Sequence, residues 1–372
     1  MIKYFAFIHI ILLNTACFTQ KIDTSIQTPD KVDYSVMLVV PELDIPWGMA
    51  FLPDGSLLIT EIKGKLLQFK NGITTEIKNV PEVSARGQGG LLDVALHPDY
   101  KNNGWIYLTY SSPEGTEKGA NTALIRARLK EGALADKQLL YKGSPNTSKA
   151  HHFGSRIEFD DNGYLYFTIG DRGDHFENPQ DITKDGGKVY RIKDDGSVPS
   201  DNPFSDAKGA KQAIYSYGHR NPQGMARHPV TGDIWTHEHG PQGGDEINII
   251  KKGANYGWPV ICYGINYDGS VLTDKTEMDG MEQPLYYYVP SIAPSGMAFV
   301  YSEKYPDWKG NLLIGSLKFQ YLERLVIKEN KVTYREKIMA DIGRVRNVKV
   351  SPDGYIYVAV EGKGIYKIIP SK

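Results

Sequence analysis

The sequence is poor in cysteine and has almost no net charge, and each absence excludes a class of protein. Only two cysteines, Cys17 and Cys262, occur among 372 residues, so a disulfide-stapled scaffold is excluded. The 43 Lys and Arg residues nearly balance the 44 Asp and Glu residues, so a polyanionic partner such as nucleic acid is not indicated. The chain also lacks a P-loop, a dinucleotide-binding G-x-G-x-x-G after a strand and a G-x-S-x-G elbow. ATP, NAD and serine-hydrolase chemistry therefore lose support.

Long apolar runs are missing except at the N-terminus. Lys3 precedes an apolar run, Tyr4 to Leu13, that is too short to span a bilayer as a helix. Residues 1–17 therefore predict an export signal, and Thr15-Ala16-Cys17 resembles a site of lipid attachment at Cys17. Simple secretion and a retained anchor are the alternatives. We expect an exported protein, periplasmic or anchored to the membrane as a lipoprotein, with a polar tether over residues 18–34.

A repeated strand–turn–strand pattern occupies residues 35–372 and predicts a single domain. Each copy has a turn rich in Pro, Asp, Asn and Gly, followed by alternating apolar residues that are typical of a two-faced strand. The spacing of the copies leaves room for four strands in each unit, which predicts an all-β, six-bladed β-propeller with four-stranded antiparallel blades. A β-sandwich or two separate β domains is the alternative. The copies are Pro53–Thr60, His97–Thr109, Asp161–Thr168, His228–Thr236, Tyr305–Ile314 and Ser351–Ala359.

A further strand precedes the first complete unit. Val36 to Val40 alternates like a strand, and we expect it to pair with the last unit, Tyr355 to Ile369, so that the N-terminal strand closes the last blade. Closure removes two open sheet edges.

Polar residues just before the repeat strands are candidates for chemistry, because propeller sites lie on loops at the end of the central channel. Gln88 lies in a Gly-rich approach to the second unit. His151 and His152 precede the third unit, and histidine is the usual general base near neutral pH. On a strand the two histidines would point to opposite sides, so one of them would face the channel. Arg220 and Asn221 precede the fourth unit and could polarise a carbonyl or hold an anion.

The segment from His237 to Asn248 follows the fourth repeat strand and combines histidines, carboxylates and a Gly-Pro pair. The i, i+2 spacing of His237 and His239 does not match the helical zinc motif. Carbonyl and carboxylate oxygens favour Ca²⁺. Zinc or iron, or no metal, remain the alternatives.

Three further cations lie at loop positions of the fifth and sixth units. Lys318 follows the fifth repeat strand, and Arg344 and Arg346 alternate before the sixth, so both arginines can face one side. Together with Arg220 they could converge on a small polyanionic ligand if the ring closes. Singly, each could be a solvated surface charge.

These motifs together resemble the soluble pyrroloquinoline quinone (PQQ)-dependent sugar dehydrogenases, the glucose/sorbosone dehydrogenase family, and within it the periplasmic aldose sugar dehydrogenase branch. The similarity covers roughly residues 36–370, and the order and spacing of its motifs make it specific. The motifs are Pro46–Phe51, Gly87–Gly90, His152, Arg220–Gly224, Gly240-Pro241, Asp245–Asn248, Asn255–Pro259, Ala293–Gly296, Lys318 and Arg344–Arg346.

The resemblance implies oxidation of an aldose at C1 to the lactone, hydride transfer to C5 of PQQ, and an external electron acceptor. It implies that His152 is the general base, that Arg220 acts in catalysis and that Gln88 lies near the substrate. It also implies two groups of ligands. The PQQ contacts are Arg220, Asn221, Tyr267, Lys318, Arg344 and Arg346, and the Ca²⁺ ligands are Gly240 and Pro241 beside PQQ, with Glu246 and Tyr256 at a second, structural site.

The chain departs from the glucose-specific branch at several positions. His151 stands where that branch has an aspartate beside the base, and Cys262-Tyr263-Gly264 does not reproduce another of its calcium-ligand stretches. Strict glucose specificity and a third calcium are therefore not expected. Two other functions stay open: a non-catalytic propeller that binds a glycan or a protein, like the ectodomain of hedgehog-interacting protein, and a propeller hydrolase of the lactonase type.

Overall fold

The segments with alternating apolar residues form strands throughout residues 34–370. The computed structural model describes residues 33–371, and within them it contains six four-stranded sheets in which all neighbouring strands are antiparallel. Between residues 33 and 371, helix is limited to the single turn α1 (Tyr100–Asn103) and a 3-10 turn, Pro306–Trp308. The predicted six-bladed β-propeller is thus confirmed.

Five blades use four consecutive strands each. The strands of blades 1 to 3 are β2 (Pro46–Phe51), β3 (Leu57–Glu61), β4 (Lys65–Lys70), β5 (Ile73–Ile77), β6 (Leu91–Leu96), β7 (Trp105–Ser112), β8 (Asn121–Lys130), β9 (Ala133–Lys142), β10 (Ile157–Phe159), β11 (Leu165–Ile169), β12 (Lys188–Ile192) and β13 (Ile214–Tyr217). Those of blades 4 and 5 are β14 (Pro222–Arg227), β15 (Ile234–Glu238), β16 (Asp245–Ile249), β17 (Tyr286–Tyr288), β18 (Pro294–Phe299), β19 (Leu312–Ser316), β20 (Tyr321–Lys328) and β21 (Lys331–Ile338).

Blade 6 combines the first and the last strands of the described residues, as the sequence predicts. Its strands are β22 (Val345–Val350), β23 (Ile356–Val360), β24 (Gly364–Pro370) and the N-terminal strand β1 (Tyr34–Pro41). Strand β1 lies beside β24, with Val36 opposite Ile368 and Val40 opposite Ile365. Pairing of β1 with β24 connects the first described strand to the last one. This contact closes the ring and covers the sheet edge that β24 would otherwise expose.

The antiparallel order decides which loops meet at each end of the ring. The first strand of every blade starts at one end, which we call the upper face, and the second strand returns to it. The upper face therefore collects the loops before β6, β10, β14 and β22 and those after β11, β15, β19 and β23. These loops contain Gln88, His152, Arg220, the Gly240-Pro241 pair, Lys318 and Arg344, whereas Tyr256 and Tyr267 lie in the long connection between β16 and β17.

Arg156 ties four blades together near the ring axis. It is 1% exposed, its guanidinium lies 3.9 Å from the centre of the Trp47 ring, and it forms an ion pair of 3.3 Å with Asp93. Its Nε also donates to the carbonyl of Gln223 at 2.8 Å. Arg156 is thus part of the structural core rather than of a site.

Within the described residues, no helix has the length and apolar character needed to cross a membrane. The predicted export signal over residues 1–17, the lipid attachment at Cys17 and nearly all of the tether lie outside the described residues, and β1 begins at Tyr34, the last residue of the predicted tether.

Candidate active site

His152 and Asp171 form a buried acid–base pair on the upper face. Nδ1 of His152 lies 2.6 Å from a carboxylate oxygen of Asp171. Asp171 is fully buried, and 12% of the His152 side chain is exposed. Asp171 follows β11 and His152 precedes β10, so two neighbouring upper loops of blade 3 supply the pair. Asp171 belongs to none of the candidate residues in the sequence, where its place directly after a repeat strand is its one signal.

His151 and His152 do not lie on a strand, so the prediction that their side chains point to opposite sides is wrong. Strand β10 begins only at Ile157, and His152 has a φ of +57°, in the left-handed region. The rings of His151 and His152 meet edge to face at 4.6 Å instead of pointing to opposite sides. The bend is held by the side chain of Gln88, whose carbonyl oxygen accepts from the His152 backbone N–H at 2.8 Å. Gln88 therefore touches the candidate base, as its proposed place near the substrate requires.

Asp171 is held as a carboxylate by its neighbours. The indole N–H of Trp258 donates to one oxygen at 2.9 Å, and the N–H of Gly173 donates to the other at 2.7 Å. Burial alone would raise the pKa of Asp171, but the hydrogen bond and charge of His152, the charge of Arg220 and the Gly173 N–H together hold it below its ordinary value. An ionised Asp171 can only accept a hydrogen bond, so it fixes the proton of neutral His152 on Nδ1.

His152 is consequently suited to accept a proton. Burial lowers its pKa to about 4, against the opposing effect of Asp171, so the ring is neutral near pH 7. With the proton on Nδ1, the lone pair of Nε2 is free to act as a base. Histidine oriented by a buried carboxylate is a recurring arrangement for general-base catalysis.

Arg220 and Asn221 lie next to this pair. The Arg220 guanidinium donates to the carbonyls of His239 and Gly240 at 3.1 and 2.7 Å, and its backbone carbonyl accepts from the Asp171 N–H at 2.7 Å. The Nε of Arg220 and the side-chain nitrogen of Asn221 are buried and have no protein partner. Unpartnered buried donors cost stability unless a ligand satisfies them, so both donors mark a place for an oxygen-rich ligand.

A cavity of about 770 Å³ opens beside Arg220 on the upper face. Four of the residues that line it are candidates from the sequence: Gly240, Pro241, Tyr267 and Lys318. Tyr267 is 75% exposed, and Lys318 is exposed and forms no ion pair with a described residue. Residues of two neighbouring blades, 4 and 5, thus line one cavity.

Arg344 and Arg346 face the same side, as their spacing predicts. They share one counter-ion, Glu361, which is not among the residues predicted from the sequence. Nε of Arg344 donates to Glu361 at 2.6 Å, and Nε of Arg346 donates to the other oxygen of Glu361 at 2.9 Å. Arg344 also donates to the carbonyl of Leu317, beside Lys318, at 3.1 Å. The cationic group of the upper face is therefore contiguous, and Glu361 neutralises part of its charge.

The Gly240-Pro241 turn is positioned by a buried carboxylate. One oxygen of Asp245 accepts from the Gly240 N–H at 2.8 Å, and the other accepts from the N–H groups of Ile292 and Ala293 at 2.7 and 2.8 Å. Burial raises the pKa of Asp245 to about 6, although these hydrogen bonds oppose the shift. The turn belongs to the cavity wall, and two adjacent carbonyls there are hard oxygen donors of the kind that Ca²⁺ prefers.

Glu246 and Tyr256 lie away from this cavity wall, around a second group of acidic residues. Glu246 is opposite Glu238 on neighbouring strands of blade 4, and Asn248 donates to both carboxylates, at 3.2 and 3.1 Å. Burial and the charge of Glu238 raise the pKa of Glu246 to about 8. The side-chain oxygen of Asn248 is buried without a partner, so a cation would find unused oxygen ligands here.

The zinc or iron alternative finds no support in the described part of the chain. Nε2 of His237 bonds to the carbonyl of Gly296 at 3.1 Å, and Nε2 of His239 bonds to that of Pro294 at 2.7 Å. Between residues 33 and 371 no group of three or more His, Cys, Asp or Glu side chains is placed to hold a metal ion. Both histidines tie blade 4 to blade 5 instead.

Comparison with known proteins finds a family match over most of the chain. The sequence profile of the Glucose / Sorbosone dehydrogenase family matches residues 43–367. The chain belongs to this family. It is 43% identical over 335 residues to the aldose sugar dehydrogenase YliI of Escherichia coli, an alignment that covers 88% of this chain and 90% of that protein.

Solved structures of this dehydrogenase family have the same fold. The soluble aldose sugar dehydrogenase of Escherichia coli in its apo-form superposes with a TM-score of 0.88 at 40% identity, covering 91% of this chain and all of that one. The PQQ-bound form of the aldose sugar dehydrogenase of Streptomyces coelicolor gives a TM-score of 0.74 at 28% identity, covering 92% of this chain and all of that one.

The residues of the upper face fit PQQ. PQQ is a tricarboxylate with a quinone, so it requires several cations and hydrogen-bond donors. The exposed Lys318, the two arginines on Glu361 and the unpartnered donors of Arg220 and Asn221 supply both.

Proposed function

We propose that this member of the glucose/sorbosone dehydrogenase family oxidises aldoses at C1 to the lactone, with PQQ as cofactor, and passes the electrons to an external acceptor. The observation that carries the proposal is the His152–Asp171 pair, 2.6 Å apart, next to Arg220 and its unpartnered donor. A base and a cationic, donor-rich cavity are the two elements that such an oxidation needs.

His152 takes the proton of the C1 hydroxyl through Nε2, while Nδ1 stays bonded to Asp171. The negative charge of Asp171 stabilises the imidazolium that forms, and Trp258 and Gly173 keep the carboxylate in place. When bound, PQQ supplies the quinone carbon, C5, that accepts the hydride from the sugar. Arg220 and Asn221 would supply their unpartnered donors to the oxygen that becomes negative, and Gln88, which bonds to the His152 backbone, would lie near the substrate.

Calcium completes the proposal at two places. The carbonyls of Gly240 and Pro241 would hold an ion beside the cofactor, where a divalent charge favours the developing oxyanion. Glu246 and Tyr256 would hold a second ion that stabilises blade 4. The side-chain oxygen of Asn248 that has no partner supports this second site.

The two other functions lack support of this kind. A propeller that only binds a glycan or a protein does not require a histidine that is buried against a carboxylate and whose pKa is lowered. A lactonase-type hydrolase builds its central metal site from side-chain carboxylates and Asn, whereas the one carboxylate among the described residues that lines the cavity here, Asp245, is occupied by backbone N–H donors.

Reconstitution tests the proposed function. Purified protein is mixed with PQQ, Ca²⁺, an artificial electron acceptor and a panel of aldoses, and dye reduction is followed. We expect turnover with several aldoses and none when PQQ is omitted. Absence of dye reduction with every sugar, in protein shown to bind PQQ, would reject a sugar dehydrogenase.

A prediction for cofactor affinity concerns Lys318. Because this ammonium group forms no ion pair with any residue from 33 to 371, Lys318→Gln should raise the Kd of PQQ about tenfold, the usual scale of one charged hydrogen bond. PQQ titration of the apoprotein by fluorescence quenching measures it. Lys331→Gln, an exposed lysine on blade 5 that starts β21, is the matched control and should leave the Kd unchanged. Equal affinities of the Lys318 variant and the wild type would remove Lys318 from the site.

A second prediction concerns pH. Since the pKa of His152 is lowered to about 4, kcat/KM should stay level as the pH falls through 6.5, the ordinary value for histidine. Below pH 4, protonation of Nε2 removes the base, and kcat/KM should fall about tenfold per pH unit. The profile is measured with a fast artificial acceptor. A decline that begins near pH 6.5 would show that His152 is not shielded as described.

A further inference from the structure

A second buried histidine–carboxylate pair lies behind Arg220. Nδ1 of His219 bonds to Glu238 at 2.8 Å, and Nε2 of His219 bonds to the hydroxyl of Ser216 at 2.9 Å. His219 is fully buried, Glu238 is 4% exposed, and the His219 ring stacks on Tyr256 at 4.5 Å. Neither residue can reach a substrate, so any effect on the reaction must pass through other groups.

Glu238 holds the peptide that carries Arg220. Its second oxygen accepts from the Arg220 backbone N–H at 2.5 Å, a charge-assisted hydrogen bond. The backbone carbonyl of Arg220 accepts in turn from the Asp171 N–H at 2.7 Å. The chain of contacts therefore runs from Glu238 through Arg220 to Asp171, whose side chain orients His152 at 2.6 Å.

The carboxylate of Glu238 accepts hydrogen bonds from three different residues. The imidazole of His219, the peptide of Arg220 and the amide of Asn248 each donate to it, the last at 3.1 Å. An anion bound in this way keeps a fixed position, because moving it would leave a buried charge with fewer hydrogen bonds. The rigidity of this anchor is what a positioning role requires.

We propose that Glu238, itself fixed by His219, is a positioning residue that sets the geometry of the His152–Asp171 base. The inference rests on the proposed function, since it concerns the rate of that reaction. Removing the anchor loosens the Arg220 peptide and lets Asp171 and His152 drift from the sugar hydroxyl. A misplacement of about 1 Å can cost about 100-fold in rate.

The kinetic test uses Glu238→Gln, which keeps the size of the side chain and an oxygen for the Arg220 N–H but loses the charge. With the holoenzyme and with rates expressed per bound PQQ, we expect kcat to fall about tenfold with the glutamine variant and toward 100-fold with Glu238→Ala. The KM for the aldose should stay within about twofold, because no substrate contact is lost. The matched control is Glu323→Gln: this carboxylate is also buried, pairs with Arg335 in blade 5 and lies outside the site, so its replacement should leave kcat unchanged.

A spectroscopic readout needs neither PQQ nor turnover. The Nδ1 proton of His152, identified by its absence in His152→Gln, should give a downfield proton NMR signal in the wild-type apoprotein. We expect this signal to shift or broaden in Glu238→Gln. An unchanged signal together with an unchanged kcat would overturn the inference, and so would a loss of kcat that saturating Ca²⁺ restores, because that result assigns Glu238 to metal binding. An inactive wild type would refute the proposed function, and the NMR result would still decide whether Glu238 positions the pair.

Discussion

Replacement of His152 by glutamine is expected to lower kcat by about 10²–10⁴, the usual contribution of a general base. Glutamine can still donate a hydrogen bond to Asp171, so the loop should keep its shape, but it cannot accept the proton of the C1 hydroxyl. The Kd of PQQ should not change, because the cofactor contacts lie on blades 4 to 6. Steady-state dye reduction and PQQ titration measure the two quantities.

His151 offers a matched control for this substitution. Its ring contacts that of His152 at 4.6 Å but makes no hydrogen bond to Asp171. His151→Gln should therefore retain most of the wild-type kcat. If the His151 variant loses as much activity as the His152 variant, or if His152→Gln loses PQQ as well as activity, the assignment of the base would be wrong.

Replacement of Asp171 by asparagine is expected to have the second largest effect, a fall in kcat of about 10²–10⁴. The carboxylate accepts from His152 and Gly173 on one oxygen and from Trp258 on the other. An asparagine must turn its NH₂ group toward one of these sides. Facing His152, the NH₂ group would donate to the lone pair of Nδ1 and so place the ring proton on Nε2, the atom that must accept the hydroxyl proton.

Asp174→Asn is the control within the same loop. Asp174 pairs with Lys149 at the surface, with side chains 38% and 43% exposed, and it does not touch His152. We expect wild-type kcat for this variant and melting temperatures for both variants near that of the wild type. A normal kcat in Asp171→Asn protein with bound PQQ would exclude the carboxylate from catalysis.

The architecture was predictable because each repeat is encoded by a short stretch of consecutive residues. Each turn and its following strand, such as Asp161–Thr168, contain both the turn residues and the alternating pattern. Closure of the ring by Val36 to Val40 was predictable for the same reason, since an unpaired strand and an open final blade satisfy each other.

The candidate site was predictable only in part, because no sequence pattern shows which side chains of different loops come into contact. The loop positions of His152, Arg220 and Lys318 follow from the strand order. The pairing of His152 with Asp171, 19 residues later, depends on a left-handed bend at His152 that no local motif announces. Glu361 was missed in the same way, because only the folded blade brings it beneath Arg344 and Arg346.

The central claim is that this chain removes a C1 hydride from an aldose while His152 accepts the hydroxyl proton. The most direct measurement mixes PQQ- and Ca²⁺-loaded protein with an aldose deuterated at C1, without an electron acceptor, and follows the cofactor absorbance over a single turnover. We predict that the cofactor is reduced, that deuterium slows the reduction several-fold compared with the unlabelled sugar, and that His152→Gln abolishes it. A PQQ-loaded wild type whose absorbance does not change with any aldose would contradict the account.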